Sequence, residues 1–566
     1  MATFVRPRVN AWCDQKKLQS EAAEHRSLGV GKRTSSLPLL GTCERDEALP
    51  SSRGQDELRS DSASADPVLL RGIFAIGKQS CDVVLSARKL SWSPIQPEIP
   101  GDVLRTEFQH KEEFVELKDI FAIKLKRRRS VGQQNEGTLL GITIFICLRK
   151  GKNKLKDSTI NLNNISEEHC NSWFRQIKDI LNGFPNRPKS LKIIINPHSH
   201  KKEARQIYSE QVEPLFKLAN IQTDVTLTEY KGHALSLLKE CQLQEYDGLV
   251  CVGGDGSTSE VVHGLLLRAQ IDAGRDTDST FMPVRAQLPV GIISAGSTNI
   301  LAYSLHGTKH PVTAALHIIM GHLQPVDVLT FSSHNRLLRF GFSSMFGFGG
   351  RALALAEKHR WMPSSQRREF AIIKTLANLK PEDFELLFLP INCFQAGSQR
   401  GSRKEKKEMI EEYVYQDQWQ ITNGHFLNIS IMAIPCLCSV APRGLAPNIR
   451  LNDGFMSLVV ARNTSRTEFA KHLKRYTSVR NQFDFPFVET YTVKEVKVHQ
   501  SNRSGSTDKF AKYVNFPTEE KYPWNVDGDL METASEIHIR VHPQLINLYG
   551  CNTEELDESK ANCSCL

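Results

Sequence analysis

Four consecutive small residues, Gly253-Gly-Asp-Gly256, form the part of the sequence most suited to chemistry. The apolar run Leu249 to Val252 before them predicts a buried strand, and helical spacing of apolar residues predicts a helix over 257–268. A strand, a glycine turn and a helix start present backbone N–H groups and a positive helix end to an anion. Asp255 in that turn could hold a metal ion or accept the proton of an attacking hydroxyl. The alternative is an ordinary strand-to-helix turn that Asp255 caps.

Further polar clusters follow other predicted strands of the same region. Asn196 to His200 follows the first strand, Thr228 to Ala234 the second, and Ala295 to Asn299 the fourth. Ligands of open parallel sheets gather at the carboxyl ends of the strands, so we expect these clusters to share one site. Near the end of the chain, Trp524 to Asp529 adds two carboxylates on a turn that by itself is typical of a hairpin.

Composition limits the class of protein. The chain has 566 residues, of which 40% are hydrophobic and 24% charged, and this predicts a globular protein of several domains. No run approaches the roughly 18 apolar residues of a membrane span, and the N-terminus lacks a secretory apolar region. Thirteen scattered cysteines show no zinc spacing. The net charge of +9 fits an anionic partner without selecting one.

The fold class that the sequence predicts is an α/β lobe with a parallel sheet plus a mainly antiparallel β lobe, preceded by a small β domain. Short alternating strands followed by one amphipathic helix bearing Trp173 define that first domain. The predicted segments are a disordered 1–66, a β domain 68–183, a nucleotide-binding α/β lobe 188–326, a β-rich lobe 327–550 with disordered insertions 395–418 and 499–521, and a flexible tail 551–566. The last four residues, Cys563 to Leu566, formally fit a prenylation box, but a flexible polar tail is the favoured interpretation.

A basic cluster lies within the β domain, at the predicted end of a strand. Its members are Lys124, Lys126, Arg127, Arg128 and Arg129. Three interpretations stay open: phosphoinositide binding, a nuclear import signal, or a solvated turn. Nucleic-acid binding would need aromatic stacking residues beside the cluster, which are not evident, so no specific nucleic-acid partner is expected.

Residues 68–183 resemble a pleckstrin homology domain in strand order and in the helix tryptophan. Asn196-Pro197, Gly253 to Gly256, Gly296 to Asn299 and Asp527 to Asp529 resemble the catalytic domain shared by diacylglycerol, sphingosine and ceramide kinases. Ser439 to Asn448 is similar to the ceramide kinase branch. The resemblance implies a lipid kinase fold that uses ATP and magnesium and takes a ceramide-like or diacylglycerol-like lipid.

The same resemblance assigns roles to individual residues. Asp255 would be the catalytic base, and Asp527 and Asp529 would hold magnesium. The residues that would bind nucleotide and its phosphates are Asn196, Pro197, Thr228, Glu229, Gly253, Gly254, Asp255, Gly256, Ser257, Glu260, Gly296, Ser297, Thr298, Arg360, Arg367, Asp527, Gly528 and Asp529.

Four positions depart from the family pattern. His200 stands where glycine is expected, and its side chain would disfavour a positive φ and close approach of a phosphate. Arg351 stands in a segment that normally supplies an aspartate to the lipid head, which predicts a cation near that site. Ser294 replaces a proline, and Asp529 replaces a longer glutamate. Loss of one transition-state contact commonly costs about 10²–10³ in rate.

Two functional classes therefore remain open. The favoured one is a kinase-shaped protein that binds nucleotide and sphingolipid-type lipids with weak or absent phosphoryl transfer and acts in lipid-linked regulation. The other is an active ATP-dependent kinase of ceramide or a related lipid hydroxyl. The expected partners are that lipid, a membrane surface or phosphoinositides at the N-terminal domain, and a nuclear import receptor. The expected location is the cytoplasm, with nuclear shuttling and peripheral association with internal membranes.

Overall fold

A computed structural model describes residues 66–95, 112–128, 137–151, 153–275, 282–393, 413–415, 418–446, 448–478, 480–500, 522–533 and 536–551. The described residues belong to one compact unit. The disorder predicted for 1–66 and the flexible tail predicted for 551–566 lie, apart from Asp66 and Cys551, outside the described residues. Among the described residues, no helix combines the length and the apolarity needed to span a bilayer.

The first domain is a seven-stranded antiparallel sheet closed by one helix. Its strands are β1 (Val68–Ile76), β2 (Gln79–Ser86), β3 (Lys89–Pro94), β4 (Glu113–Glu116), β5 (Ile120–Arg128), β6 (Thr138–Arg149) and β7 (Leu155–Asn163), in the order β4-β3-β2-β1-β7-β6-β5. Helix α1 (Glu167–Asn182) begins where the Ser166 hydroxyl accepts a hydrogen bond from the His169 N–H. Its buried Trp173 meets Phe74 edge-on at 5.0 Å, so the helix tryptophan is the centre of this core.

The second region alternates strands and helices. Its elements are β8 (Ser190–Ile195), α2 (Ala204–Ile207), α3 (Glu213–Leu218), β9 (Gln222–Leu227), α4 (His233–Glu240), β10 (Gly248–Gly253), α5 (Asp255–Asp272), β11 (Val290–Ser294), α6 (Ile300–His306) and α7 (Pro311–Met320). A π-helical turn, Tyr208–Val212, joins α2 to α3. β10 pairs in parallel with β8 and β11, and β8 with β9. The buried strand β10 and its neighbours thus end at one edge, as the alternation predicts.

The third region is rich in antiparallel strands. Its strands are β12 (Leu323–Ser333), β13 (Arg336–Gly341), β14 (Ser343–Gly347), β15 (Glu382–Cys393), β16 (Tyr413–Tyr415), β17 (Gln420–Met432), β18 (Met456–Arg462), β19 (Val488–Gln500), β20 (Tyr522–Val526), β21 (Asp529–Thr533) and β22 (Glu536–Tyr549). Strand β22 pairs antiparallel with β12 and β19 and parallel with β11 at Leu548 and Val290. Because of β22, the two regions share one continuous 15-stranded sheet.

The predicted insertions need correction at their ends. Tyr413–Tyr415, within the predicted disordered 395–418, is a strand paired with β15, and His499 and Gln500 belong to β19. The remaining residues of both insertions, apart from Gln418, lie outside the described residues. Three helices of this region have no counterpart in the sequence prediction: α8 (Phe348–Lys358), α9 (Ser364–Ala377) and α10 (Arg466–Arg475). These helices form the side of the cavity described below.

The first domain packs on the second through β5, β6 and β7. Arg187, in the linker between them, donates hydrogen bonds of 2.7 Å to the carbonyls of Ile120 and Lys118. The Leu155 N–H donates to the Thr313 hydroxyl at 3.1 Å. Phe121 of β5 belongs to the same buried cluster as residues of β8 and α7. The β domain is therefore fixed to the α/β region by backbone and apolar contacts.

Candidate active site

The polar strand ends meet at one cavity of about 900 Å³. Sixteen of the eighteen residues predicted to bind nucleotide line it: Asn196, Thr228, Glu229, Gly254, Asp255, Gly256, Ser257, Glu260, Gly296, Ser297, Thr298, Arg360, Arg367, Asp527, Gly528 and Asp529. Pro197 and Gly253 are not among its lining residues. The structure thus brings together residues separated by more than half the chain.

Two glycine turns lie against each other at the polar end of the cavity. A β-carbon built on Gly296 would lie 2.4 Å from the Gly254 α-carbon and 2.8 Å from the Asn299 side-chain oxygen. Asn299, in the left-handed region with φ of 57°, fixes the second turn by exchanging hydrogen bonds of 3.0 and 2.9 Å with the Gly296 backbone. Glycine is needed at 296 because only a residue without a side chain permits this contact.

Asp255 is the first residue of α5 and is partly buried beside the start of α6. Its carboxylate accepts a long hydrogen bond, 3.4 Å, from the Leu301 N–H. Burial raises the pKa of the Asp255 carboxyl to about 6, although backbone N–H groups at the start of α6 oppose the rise. At neutral pH the group is mainly ionised and still able to take a proton. These are the properties of a general base.

His200 adopts the backbone conformation that glycine favours. Its φ is 42°, and its side chain lines the cavity. The expectation from the sequence that this position strains a residue with a β-carbon is therefore confirmed by the backbone angle. Lys202, two residues on, also has a positive φ, 65°, but does not line the cavity.

Asn196 and Glu260 use their polar atoms to hold neighbouring segments in place. Asn196 donates from its amide to the Ser257 hydroxyl at 2.8 Å. The Glu260 carboxylate accepts from the N–H groups of Ala234 at 2.9 Å and Leu235 at 3.3 Å. Because those groups belong to the first turn of α4, Glu260 acts there as a helix cap from outside the helix.

Asp527 is partly buried, and its carboxylate is saturated with hydrogen bonds. One oxygen accepts from the N–H and hydroxyl of Ser343 at 2.8 and 2.9 Å. The other accepts from the Phe342 N–H at 2.9 Å and the Ser259 hydroxyl at 3.0 Å. Burial raises the pKa of this carboxyl. Four donors fill the lone-pair directions of a carboxylate, so Asp527 fixes the β20–β21 turn against β13 and β14.

Asp529 is an ion-pair centre. One oxygen accepts from the Lys231 ammonium and the other from the Arg339 guanidinium, both at 2.6 Å. Burial alone would raise the pKa of Asp529, but the bonds from Arg339 and Lys231 hold it below its usual value. The predicted magnesium ligation by Asp527 and Asp529 does not fit this geometry, because each oxygen is engaged. The described residues contain no group of three side chains arranged to hold a metal ion.

Three arginines from the α8–α9 connection and from α9 line the cavity. Arg360, in the connection, is paired with Glu357, and Arg367 belongs to α9. Arg368, which was not predicted from the sequence, donates from its guanidinium to the Thr298 hydroxyl at 3.0 Å. Its position directly after Arg367 was the only signal available. This bond links α9 to the second glycine turn.

Arg351 does not place its charge in the cavity, so that expectation is wrong. Its guanidinium is paired with Glu382 and donates to the Lys380 carbonyl at 2.7 Å, and it is not among the lining residues. Helix α8 presents Ala352, Leu353 and Ala356 to the cavity instead. The helix direction explains the error, because neighbouring residues of a helix point to different sides.

The rest of the cavity wall is largely apolar. It is formed by residues of β14, α8, α9, β17, β18 and α10, among them Met345, Phe348, Ile372, Met432, Val459 and Phe469. Asn428, Ser430, His472 and Tyr476 add polar groups to it. Burial lowers the pKa of His472 to about 4, so this imidazole is neutral at pH 7. A cavity with one polar, glycine-lined end and an apolar remainder suits an anion beside an amphipathic molecule.

The basic cluster lies in the β domain. Lys126 donates to the Asn163 side chain at 3.0 Å, and Arg127 donates to the Gly137 carbonyl at 3.3 Å. Lys124 and Arg128 are exposed at the end of β5. Arg129 lies outside the described residues. These contacts are compatible with each of the three interpretations of the cluster.

Three family models match the chain. The ceramide kinase PH domain matches residues 70–177, the diacylglycerol kinase catalytic domain 190–331, and the ceramide kinase C-terminal domain 342–566. A solved diacylglycerol kinase from Bacillus anthracis is similar at 13% identity and a TM-score of 0.41, over 64% of this chain and 97% of that chain. The fold and the models define a lipid kinase catalytic domain of the diacylglycerol kinase type, preceded by a pleckstrin homology domain.

Similar proteins narrow that class. The ceramide kinase-like protein of Homo sapiens is 62% identical over 520 residues, which cover 87% of this chain and 92% of that protein. The ceramide kinase of Mus musculus is 33% identical, and the match covers 87% of this chain and 99% of that protein. The ceramide kinase of Homo sapiens is 34% identical, and the match covers 69% of this chain and 78% of that protein. The chain belongs to the ceramide kinase family.

Proposed function

We propose that the protein binds a magnesium-complexed nucleoside triphosphate and a sphingolipid-type lipid in this cavity and transfers phosphate weakly or not at all, serving lipid-linked regulation. The observation that supports it best is the union of the two glycine turns and an apolar wall in one cavity. Backbone N–H groups at the start of α5 suit phosphates, and the apolar wall suits acyl chains. Asn196, Thr228, Ser257 and Thr298 supply polar side chains beside the turns.

Two residues at the polar end of the cavity are the reason for proposing that phosphate transfer is weak. His200 brings a β-carbon and an imidazole into the loop after β8, where close backbone approach to phosphate is needed. The Asp529 carboxylate is engaged by Lys231 and Arg339. Since phosphoryl transfer depends on positioning and on neutralising charge, both features lower the transfer rate without preventing binding. Magnesium would arrive with the nucleotide and neutralise phosphate charge.

A second candidate function is active phosphorylation of a lipid primary hydroxyl. Asp255 favours it, because its raised pKa and its place at the start of α5 are suited to a base. The carboxylate would take the hydroxyl proton while the new oxygen–phosphorus bond forms and the bond to the diphosphate leaving group breaks. Arg360, Arg367 and Arg368 would then neutralise charge on the transferred group.

Calorimetry and label transfer on the purified full chain test these proposals together. Heat from magnesium ATP and from a short-chain ceramide, with no label transferred to lipid above a no-enzyme blank, is the result expected for the favoured function. Label transfer that Asp255→Asn abolishes supports the second function instead. If the wild-type chain bound neither magnesium ATP nor the ceramide, both candidate functions would be overturned.

Replacing His200 with glycine is expected to raise the affinity for magnesium ATP, by about tenfold, because the substitution removes both the backbone penalty and the side chain from the phosphate end. The free energy of unfolding should change by less than about 1 kcal/mol. Glycine adopts a positive φ without the penalty of a β-carbon, and this gain offsets the greater conformational freedom that glycine gives the unfolded chain. Calorimetric titration and thermal unfolding measure the two effects.

Lys202→Gly is the matched control for that experiment. Lys202 has a positive φ of 65°, so glycine relieves the same backbone penalty there as at position 200. Lys202 does not line the cavity. It should leave nucleotide affinity unchanged. Equal gains in affinity from both variants would show that His200 acts through the backbone of the loop and not by occupying the cavity.

The pleckstrin homology domain indicates lipid or membrane association. We propose that Lys124, Lys126, Arg127, Arg128 and Arg129 bind phosphoinositide head groups and hold a cytoplasmic protein at internal membranes. Nuclear import through the same cluster is the alternative. A fluorescent full-length fusion with Arg127, Arg128 and Arg129 changed to alanine distinguishes them: loss of membrane signal supports the first, and loss of nuclear signal supports the second.

A further inference from the structure

Helix α9 and its neighbours expose a group of large apolar side chains. Trp361 is 80% exposed, Ile373 67% and Val440 51%, while Phe370 and Ile372 are 36% and 37% exposed. We call these five residues the α8–α9 surface. The His359 ring lies 6.3 Å from the Trp361 ring and 5.0 Å from the Phe370 ring, so Trp361 and Phe370 are near each other. Grouped exposed apolar side chains commonly mark an interaction site.

Positive charge accompanies this surface. Between residues 357 and 374 there are five cations, Lys358, Arg360, Arg367, Arg368 and Lys374, and two carboxylates, Glu357 and Glu369, a net charge of +3. Glu357 is paired with Arg360. Lys358, Arg368 and Lys374 are exposed. Exposed apolar and cationic side chains in one segment match a bilayer that contains anionic lipids, since one set enters the interface and the other meets the head groups.

The same segment forms part of the cavity wall. Ala371 and Ile372 line the cavity, and Ala371 is 1% exposed. Val440, outside this segment, also lines it. Helix α9 therefore has one side on the cavity and another facing solvent. A lipid that leaves a bilayer for the apolar wall of this cavity has to pass beside such a boundary, because its acyl chains are poorly soluble in water.

We propose that the α8–α9 surface docks on an anionic lipid bilayer and joins the cavity directly to the membrane. This inference rests on the proposed function, because it gives the cavity its lipid. Trp361 would lie at the interface, where the amphipathic indole is most stable. Ile373 and Val440 would enter the outer acyl region, and Lys374 would lie near the phosphate groups. The docking surface is separate from the basic cluster of the pleckstrin homology domain.

Vesicle sedimentation of the full chain tests the proposal. Wild-type protein should bind phosphatidylcholine vesicles containing phosphatidylserine more tightly than pure phosphatidylcholine vesicles. The double variant Trp361→Ser/Ile373→Ser should lose about tenfold or more of that binding, because two interfacial apolar side chains are removed. Lys374→Glu should weaken binding only to the anionic vesicles. Brominated acyl chains should quench tryptophan emission of the wild-type protein, and Trp361→Phe should lose most of that quenching.

Ile421→Ser is the matched control, because Ile421 is 61% exposed on β17 and is not a cavity residue. It should bind vesicles as the wild-type protein does. Equal vesicle binding by the double variant and the wild-type protein would overturn the docking surface. If the double variant unfolds, Lys374→Glu and the quenching of Trp361 decide the question.

Binding of a soluble short-chain ceramide separates this inference from the proposed function. If wild-type protein and the double variant bind it equally while vesicle binding differs, the docking surface is supported. Unchanged vesicle binding together with intact ceramide binding overturns the docking surface alone. Absence of ceramide binding by the wild-type protein overturns the proposed function.

Discussion

Asp255→Asn is expected to lower whatever rate of phosphate transfer to lipid the wild-type protein shows by about 10³ or more, because an amide cannot accept the hydroxyl proton. Magnesium ATP should still bind with an affinity within about threefold of wild type, since asparagine keeps the size of the side chain and the helix start is unchanged. Label transfer measures the first effect and calorimetric titration the second.

The pH dependence of any such transfer should carry the signature of Asp255. Its pKa is raised from 3.8 to about 6, so protonation removes the base as the pH falls through about 6. The transfer rate should therefore rise from about pH 5 to about pH 7 and then level off as far as this group is concerned. A rate that stays constant across that interval would exclude Asp255 as the base.

The same pKa predicts how Asp255 affects stability. A carboxyl whose pKa is higher in the folded state binds more protons there, so the folded state is penalised once the group is ionised. The penalty is absent below about pH 4 and complete above about pH 6 to 7, and it amounts to on the order of 3 kcal/mol. Asp255→Asn should consequently unfold at a higher temperature than wild type at about pH 8 and at a similar temperature at about pH 4.

Asp327→Asn is the control for the effect of pH on transfer. Burial also raises the pKa of Asp327 to about 6, but this carboxylate lies outside the cavity lining and accepts from the N–H groups of Gly454 and Gln544. The folded variant should keep the acidic fall in transfer rate. If the transfer rate of Asp327→Asn no longer fell at acidic pH, while that of Asp255→Asn still did, the group that titrates would be Asp327 and not Asp255.

The polar end of the site could be predicted because its signals are local. An apolar strand, a glycine turn and a helix start lie within about twenty residues, and parallel strands place their carboxyl ends together. The positive φ of His200 was expected from the resemblance to lipid kinases, in which glycine stands at this position.

Charge pairing could not be predicted because it depends on distant residues. The partners of Asp529 are Lys231 and Arg339, 298 and 190 residues away in the chain. Likewise, whether Arg351 points into the cavity depends on the direction of α8, which the sequence analysis did not recognise as a helix. Helices α8, α9 and α10 lie between strands, and their apolar residues are divided between a cavity and solvent, which weakens a regular helical pattern.

Gly296→Ala is expected to destabilise the protein by about 2–3 kcal/mol and to abolish measurable nucleotide binding, because the added methyl group overlaps the backbone of the other turn. Its β-carbon would lie 2.4 Å from the Gly254 α-carbon, a backbone atom, and 2.8 Å from the Asn299 side-chain oxygen. The two turns must separate to accept it, and the hydrogen bonds between Asn299 and the Gly296 backbone would be strained with them. Thermal unfolding and calorimetric titration measure both losses.

Gly256→Ala gives the matched comparison, since the nearest atom to its added β-carbon is the Gly528 carbonyl oxygen at 3.8 Å. Alanine inside α5 should leave stability equal or slightly higher, by up to about 1 kcal/mol. Gly256 lines the cavity, so its methyl group should still weaken nucleotide binding. A stable Gly296→Ala would mean that the turns do not touch in solution. Full nucleotide affinity in Gly256→Ala would mean that the phosphates lie elsewhere, because a methyl group at the start of α5 cannot share space with them.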